Sequence, residues 1–182
     1  MRIAGIQMSA GPDIEKNVAR GVEMAEVAAE KGAKVIGFPE LCLTPWFPRQ
    51  EDRARFSLAH EVSSEAISAF VKTSIKNQVV IVLPFFEKNA DRYFNSAVVI
   101  DCGRIAGLYR KVHLPDLPLY KEQFYFSPGD TRFPVFETSR GKIGVQICWD
   151  NLFPEGTRIL ALKGADMVFA PTAASLNTHA LW

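Results

Sequence analysis

The amino-acid sequence predicts an α/β fold in which neighbouring strands of the sheet are parallel. Two observations support this prediction. Apolar runs of strand length lie at residues 3–8, 34–38 and 79–84, and the segments between them repeat apolar residues at helical spacing. The order is therefore strand, helix, strand, helix, strand, which is typical of a sheet covered by helices.

Boundary signals support both helices. Asp13 is a suitable N-cap for the first helix, and Gly32 follows its last apolar residue. Ser63 or Ser64 precedes the second helix in the same way. We therefore expect helices between the first and second strands and between the second and third strands.

The second half of the chain predicts hairpins instead of helical crossovers. Two pairs of strand-like segments are each joined by a tripeptide that contains glycine, which suits a hairpin. A helix and a short final strand follow. The predicted strands lie at residues 94–101, 105–110, 133–138, 142–147 and 167–170, and the helix at residues 155–163.

A long irregular segment separates the two hairpins. It runs from residue 111 to residue 131 and contains Pro115, Pro118, Pro128 and Gly129. Loops of this length inside a compact domain are usually functional.

Cys148 ends a strand-like stretch in which Ile143, Val145 and Ile147 alternate with smaller or polar residues. The helix at residues 155–163 follows, so the thiol is expected on a strand-to-helix turn. Backbone N–H groups are free at such a turn, and a helix N-terminus favours negative charge. A nucleophile and its oxyanion site can be built there together, although a lone cysteine is also a common core residue.

Composition limits the class of protein. The 182 residues are 48% hydrophobic and 23% charged, which suits one domain over residues 1–182. A net charge of +1 provides no general attraction for nucleic acid or for an anionic membrane, so neither partner is expected. No leader-like segment and no apolar stretch of about 18 residues is visible.

The cysteine pattern favours a reducing compartment. Cys42, Cys102 and Cys148 make an odd number with no metal-binding spacing, which argues against a disulfide framework and structural zinc. We therefore expect a cytoplasmic protein without a bound metal.

Three unlike residues follow predicted strands, where reactive groups gather in open α/β sheets. Glu40 could accept the proton of the Cys148 thiol. Lys111 could stabilise both the thiolate and a developing oxyanion, with the backbone N–H of Trp149 as a second donor. Acyl transfer is the chemistry that these groups share. Taken singly, Glu40 could only cap its loop, and Lys111 could be a solvated surface residue.

At these residues the sequence resembles the nitrilase, or carbon–nitrogen hydrolase, superfamily. The resemblance covers essentially the whole chain, and the motifs occur in the family's order. They are Phe38-Pro39-Glu40-Leu41, Tyr109-Arg110-Lys111-Val112-His113-Leu114-Pro115, Phe124-Tyr125-Phe126-Ser127-Pro128-Gly129-Asp130, and Ile147-Cys148-Trp149-Asp150 through Phe153-Pro154-Glu155.

The resemblance implies a fold and a set of roles. The fold is an αββα sandwich, with four layers and mixed sheets. Glu40 would be the general base, Lys111 would stabilise the tetrahedral intermediate, and Cys148 would be the acylated nucleophile. A second glutamate, Glu122, would position the reacting groups. No metal or organic cofactor is implied.

Within the family, the motifs look most like the N-carbamoylputrescine amidase branch of polyamine biosynthesis. Such an enzyme takes a small amide or carbamoyl substrate and releases ammonia, then carbon dioxide and an amine. An aliphatic amidase or a nitrilase of the same family is the alternative. Family members usually pair subunits, so a homo-oligomer is expected. Aromatic residues could line the substrate pocket, although they are also common in cores: Trp46, Phe47, Tyr120, Trp149 and Phe153.

Two features depart from a simple match. Members of the family continue past the position of Trp182, so we expect a fragment or truncated form that is incomplete at its C-terminus, in preference to a chain completed by a partner. A catalytically silent remnant that serves as a binding or assembly module is therefore a further alternative. The histidines lie in no thiol-protease signature, and we expect a structural role for His113.

Overall fold

The computed structural model describes residues 1–173. Within them, the helices are α1 (Ile14–Glu30), α2 (Glu65–Asn77), α3 (Glu122–Tyr125) and α4 (Pro154–Leu162). The strands are β1 (Arg2–Gly5), β2 (Ala33–Gly37), β3 (Val80–Asn89), β4 (Arg92–Asp101), β5 (Arg104–Arg110), β6 (Asp116–Leu117), β7 (Tyr120–Lys121), β8 (Val135–Thr138), β9 (Gly141–Val145) and β10 (Met167–Phe169). Short 3₁₀ turns span Arg53–Leu58 and Cys148–Leu152.

The larger sheet contains five strands in the order β1-β2-β3-β4-β5. β1, β2 and β3 are parallel to one another, as the alternation of strands and helices predicts. β3, β4 and β5 are antiparallel, because tight turns connect them instead of helices. The result is a mixed sheet.

The smaller sheet has the order β10-β9-β8 and packs face to face on the larger one. The two sheets approach closely where glycine meets phenylalanine. A Cβ atom on Gly37 would lie 2.5 Å from the Phe169 ring, and one on Gly107 would lie 2.4 Å from the Phe136 ring.

Helices cover the outer faces of both sheets. α1 and α2 contribute to the apolar cluster on the outer face of the five-stranded sheet, where Phe70 meets Phe38 edge to face at 5.3 Å. On the other side, Leu160 of α4 packs against Gly144 of β9. This four-layer αββα arrangement is the fold that the sequence resemblance implies. Among residues 1–173, no helix has the length and apolar character needed to cross a bilayer.

Two helix boundaries follow the expected chemistry, whereas Ser64 precedes α2 without a side-chain capping hydrogen bond. The Asp13 side chain accepts a hydrogen bond from the backbone N–H of Lys16 at 3.1 Å and so caps α1. Pro154 is the first residue of α4, where a backbone N–H would have no partner within the helix.

The strand that leads to Cys148 ends earlier than predicted. β9 stops at Val145, and Cys148 is the first residue of a 3₁₀ turn, with a positive φ of 48°. Hydrogen bonding to the segment after β10 continues past the strand, since the N–H of Cys148 donates to the carbonyl of Pro171 at 2.8 Å. The left-handed conformation at Cys148 then turns the chain away, so the thiol stands on the turn and not on the strand.

The segment at residues 111–131 is less irregular than predicted. It contains the β6–β7 hairpin, whose connection includes Leu119 at a φ of 69°, and the one-turn helix α3. Its ends meet where the N–H of Gly129 donates to the carbonyl of Lys111 at 2.9 Å. Only glycine fits at position 129, because a Cβ atom there would lie 2.0 Å from the carbonyl oxygen of Arg110.

Candidate active site

The four residues that the sequence singles out for catalysis reach the site from four separate elements. Glu40 lies in the turn after β2, and Lys111 is the first residue beyond β5. Glu122 begins α3, and Cys148 begins the turn beyond β9. All four are buried, with no more than 4% of any residue exposed.

Lys111 lies between two carboxylates. Its Nζ is 2.8 Å from Oε1 of Glu40 and 2.8 Å from each carboxylate oxygen of Glu122. All three side chains are 0% exposed, so water does not screen these charges. The geometry fixes the ammonium group and orients both carboxylates.

The charges around Lys111 keep it protonated. Burial alone would lower the pKa of Lys111, but the negative charges of Glu40 and Glu122 outweigh burial and raise it above its usual range. Burial also raises the pKa of Glu122 to about 7; the charge of Lys111 opposes this rise and that of Glu40 adds to it. The raised pKa brings the titration of Glu122 close to neutral pH.

The surroundings of the Cys148 thiol disfavour its ionisation. Burial, reinforced by the negative charge of Glu40, raises the pKa of Cys148 well above its usual range, and Lys111 offsets only part of this rise. A thiol in this state needs a base before it can attack a carbon atom. Glu40, the largest electrostatic influence on this thiol after burial, is suited to that task.

Asn95 is a site residue that the sequence analysis missed. It lies in β4 and is 1% exposed, and its Nδ2 is 2.8 Å from Oε1 of Glu40 and 3.4 Å from Oε2 of Glu122. Its backbone carbonyl accepts a hydrogen bond from the N–H of Lys111 at 2.9 Å. The available signal was a polar residue, followed by Ser96, inside the otherwise apolar run at residues 94–100 of this strand.

Asp150 stabilises the turn that begins at Cys148. Its buried carboxylate accepts hydrogen bonds from the Tyr109 hydroxyl at 2.6 Å, from the N–H of His113 at 2.9 Å and from the N–H of Ile147 at 3.1 Å. Nδ1 of His113 also lies 2.8 Å from this carboxylate. The turn is thus connected to the chain on both sides of Lys111, and His113 takes part in the structural contacts expected of it.

The aromatic candidates occupy different places. Trp46 lines a cavity of about 630 Å³ together with Glu40 and residues 169–173, and Tyr120 packs edge to face on Trp46 at 5.5 Å. Trp149 is half-buried beside Cys148. Phe153 stacks on the ring of His113 at 3.8 Å, so the structure brings it to the support of the turn and not to the wall of that cavity.

Residues 1–173 contain neither a cluster of metal ligands nor a disulfide bond. Within residues 1–173, no group of three or more His, Cys, Asp or Glu side chains is arranged to hold a metal ion. Cys42, Cys102 and Cys148 are all free thiols. Burial raises the pKa of Cys42, and its Sγ donates to the carbonyl of Pro84 at 3.2 Å, as expected for a structural thiol.

The sequence and the fold both match one known family of proteins. The carbon–nitrogen hydrolase family model matches residues 2–182, and the chain belongs to that family.

Two individual relatives are 40% and 38% identical to this chain. The chain is 40% identical over 173 residues to an N-carbamoylputrescine amidase of Solanum tuberosum, covering 94% of this chain and 58% of that protein. It is 38% identical over 181 residues to a citrullinase of Francisella tularensis, covering 98% of this chain and 63% of that protein.

A solved structure of a carbon–nitrogen hydrolase has the same fold as this chain. A carbon–nitrogen hydrolase from Helicobacter pylori G27 superimposes with a TM-score of 0.90 at 38% identity, covering 95% of this chain and 60% of that one. The chain therefore spans about three fifths of the length of the relatives that it matches, 58% and 63% for the two curated proteins. The sandwich fold is that of the nitrilase superfamily.

Proposed function

We propose that the protein is a cysteine-dependent hydrolase of non-peptide C–N bonds that acts on N-carbamoyl amines. The observation that supports this most directly is the buried Lys111 ammonium, 2.8 Å from both Glu40 and Glu122 and electrostatically coupled to the Cys148 thiol. This arrangement offers a base, a cation for an oxyanion and a nucleophile in one water-poor place.

Acylation follows from these roles. Glu40 takes the thiol proton as Sγ of Cys148 attacks the carbamoyl carbon, and the carbonyl electron pair moves to the oxygen. Lys111 and the backbone N–H of Trp149 stabilise that oxyanion. The tetrahedral intermediate collapses, its C–N bond to the terminal amino group breaks, and Glu40 returns the proton to the departing ammonia. An acyl thioester remains on Cys148.

Deacylation uses the same base. Glu40 accepts a proton from a water molecule whose oxygen attacks the thioester carbon, and the proton returns to sulfur as the C–S bond breaks. The product is a substituted carbamic acid, which decomposes to carbon dioxide and the free amine. The net reaction consumes one water and yields ammonia, carbon dioxide and an amine. Glu122 keeps Lys111 in place throughout.

The carbamoyl substrate class is supported by the two curated relatives. Their names refer to N-carbamoylputrescine and to citrulline, and both compounds carry a terminal carbamoyl group on an alkyl nitrogen. N-Carbamoylputrescine, and with it polyamine biosynthesis, is our first choice because of the motif resemblance. We propose that Trp46, Tyr120 and Trp149 contact the substrate, and that Phe153 acts through its stacking on His113.

A product-resolved assay tests the proposal. The protein is offered N-carbamoylputrescine, citrulline, an aliphatic amide and a nitrile, and ammonia and carbon dioxide are measured together. An N-carbamoyl amine should yield equal amounts of both gases, whereas an amide or a nitrile yields ammonia and a carboxylic acid. Ammonia without carbon dioxide would favour the aliphatic amidase or nitrilase alternative. Release from none of the four would favour the binding or assembly module.

Replacing the nucleophile provides the matched control. Cys148→Ala should lower turnover by about 10⁴-fold or more and abolish the acyl adduct seen by mass spectrometry with a slow substrate. Cys102→Ala should retain turnover, because Cys102 lies in the β4–β5 turn with its Sγ 3.7 Å from Oγ of Ser139. Full activity in the Cys148→Ala variant would contradict the proposed mechanism.

We also propose that the protein acts in the cytoplasm as a homo-oligomer. The three free thiols suit a reducing compartment, and the family resemblance favours paired subunits. Sedimentation analysis of the purified protein under reducing conditions measures the oligomeric mass directly, and a monomer at micromolar concentration would contradict the second part.

A further inference from the structure

The Asn95 side chain lies at the centre of the charged cluster without carrying a charge. Its amide nitrogen faces Glu40 at 2.8 Å and Glu122 at 3.4 Å, and its backbone carbonyl holds the N–H of Lys111 at 2.9 Å. One residue therefore contacts three of the four candidate catalytic residues. We infer that Asn95 is a positioning residue, whose amide holds the two carboxylates around the Lys111 ammonium; this inference rests on the proposed function.

Burial and hydrogen bonding argue that position 95 is not an ordinary core position. Asn95 is 1% exposed, and its Oδ1 has no hydrogen-bond partner among residues 1–173. A buried unpaired carbonyl oxygen is unfavourable, so an apolar residue would serve β4 better if packing were the only requirement. The nitrogen end faces the carboxylates because the reversed amide would set its oxygen against them.

The charge balance explains why a neutral donor is needed. Two carboxylates and one ammonium surround the thiol, so the cluster has an excess of negative charge when both acids are ionised. A cation at position 95 would compete with Lys111 for the same oxygens. A third carboxylate would increase the repulsion. An amide stabilises the ionised carboxylates while leaving Lys111 as the cation available to an oxyanion.

Glu122 gives this role a measurable consequence. The groups that act on Glu122 are Lys111 at the end of β5, Glu40 after β2, Asn95 in β4 and Cys148 beyond β9. The hydrogen bond from Asn95 favours the ionised carboxylate, so its loss should raise the pH at which the site becomes competent.

Asn95→Leu keeps nearly the same shape and removes the donor, and Asn95→Asp keeps the shape and adds a carboxylate. The control is Ser96→Ala, because Ser96 is the next residue of β4, is fully buried, and donates to a different buried carboxylate, Glu87, at 2.5 Å. Any general effect of losing a buried hydrogen bond in β4 appears in this control too. Thermal unfolding confirms that each variant is folded.

The readout that needs no substrate is alkylation of Cys148 by iodoacetamide, followed by peptide mass spectrometry between about pH 5 and pH 9. We expect the acidic limb of the rate profile to move upward by about one pH unit in Asn95→Leu. The shift should be at least as large in Asn95→Asp, and absent in Ser96→Ala. The acidic limb of kcat/KM for ammonia release should move in parallel.

The outcomes separate the inference from the proposed function. An unmoved limb in both Asn95 variants, or an equal shift in Ser96→Ala, overturns the positioning role. If Asn95→Leu fails to fold, Asn95→Asp alone decides between a shifted and an unmoved limb. If none of the tested compounds releases ammonia but the alkylation limb shifts as expected, the proposed function fails while the role of Asn95 in the cluster is supported.

Discussion

Lys111 is a buried cation whose two partners are buried anions. Each partner oxygen lies 2.8 Å away, and all three side chains are 0% exposed. Charges taken out of water are tolerated only when they are paired, so the ammonium contributes to folding as well as to the proposed chemistry.

Removing this charge should therefore destabilise the fold. Lys111→Met leaves two neighbouring buried carboxylates without a cation, and we expect a loss of about 3–5 kcal/mol in the free energy of unfolding. Turnover should fall by about 10²–10³-fold or more in the molecules that remain folded. Denaturation in guanidinium chloride measures the first effect.

The matched control is Lys121→Met. Lys121 also forms an ion pair, 2.9 Å from Asp116, but its side chain is 34% exposed, so the stability should be nearly unchanged. Equal losses in the two variants would mean that burial of the Lys111 cluster is not the cause.

The raised pKa of Glu122 predicts that activity and stability change in opposite directions with pH. Its pKa is raised to about 7, so the folded protein binds a proton that the unfolded chain has already released between about pH 4.5 and pH 7. Over that range its contribution to the free energy of unfolding should fall as pH rises. Activity should rise over the upper part of the same range, because the ionised carboxylate holds Lys111.

Glu122→Gln tests this prediction, since the amide does not titrate. The fall in stability between about pH 5 and pH 7 should flatten in this variant when unfolding is measured at several pH values. A variant with the same pH slope as the unchanged protein would show that another group titrates.

Most of the candidate catalytic residues can be predicted from the sequence, whereas Asn95 cannot. Glu40, Lys111 and Cys148 follow predicted strands and carry the groups needed for acyl transfer, so they can be singled out residue by residue. Glu122 is found only through the family resemblance. Asn95 lies inside a strand-like run, and its contact with Glu40 depends on how β4 lies relative to the turn after β2.

Among the elements, the Cys148 turn and the end of β5 behave as one unit. Asp150 joins them through Tyr109, His113 and Ile147. Its bond to Ile147 lies directly before Cys148, which adopts a conformation that L-residues adopt reluctantly, with a φ of 48°. The position of the thiol relative to Lys111 therefore depends on a residue that need not touch substrate.

Asp150→Asn should loosen this connection. The amide has the same shape but loses the charge that strengthens these hydrogen bonds, and we expect a cost of about 1.5–3 kcal/mol in unfolding free energy. Alkylation of Cys148 should slow as well. The control is Asp166→Asn, since exposed Asp166 accepts from the N–H of Lys142 at 2.8 Å outside the site. Unchanged stability and alkylation in Asp150→Asn would contradict the role of this network.

The end of β9 shows why the boundary of an element is hard to predict from the sequence pattern. Alternation of apolar residues continues from Ile143 to Ile147, and this pattern predicts a strand that reaches Cys148. The actual end is Val145, because the Asp150 side chain accepts from the N–H of Ile147 and closes the turn. A side-chain contact that reaches back three residues leaves no mark on hydrophobic periodicity.

In the whole molecule, the two sheets meet through glycines that make room for phenyl rings. Gly37 of β2 receives Phe169, and Gly107 of β5 receives Phe136. Because β2 and β5 of the larger sheet lead to Glu40 and Lys111, and β9 of the smaller sheet leads to Cys148, the separation of the sheets also affects the distance from the thiol to the other two residues.

Gly37→Ala should force the sheets apart. Its Cβ atom would lie 2.5 Å from the Phe169 ring, and the expected cost is about 1–3 kcal/mol. Gly5→Ala is the matched control: Gly5 pairs with Gly37 in the sheet, but apart from its chain neighbours no heavy atom of residues 1–173 lies within 4 Å of its Cβ position. That variant should be neutral or slightly stabilised, and thermal unfolding of both variants provides the comparison. A Gly37→Ala variant as stable as Gly5→Ala would contradict the tight fit.

The layered architecture is only partly accessible from the sequence. The alternation up to β3 predicts parallel strands, and the short connections after β3 predict hairpins, so the mixed larger sheet follows. Nothing in the local pattern says that β8, β9 and β10 form a separate sheet facing the first. That arrangement came from the family resemblance, because contacts such as Gly107 with Phe136 join residues far apart in the chain.

Backbone hydrogen bonds close the base of the segment at residues 111–131, so its tip can change in length without disturbing the candidate active site. Gly129 is tied to Lys111, and within the segment the N–H of Glu122 donates to the carbonyl of Pro115 at 3.2 Å. The β6–β7 hairpin lies beyond both ties. New residues inserted at its tip, around exposed Leu119, would lengthen the wall next to Tyr120 and Trp46 without displacing an ionised group. Such insertions would change the surroundings of the proposed substrate pocket and leave the contacts among Glu40, Lys111 and Glu122 in place.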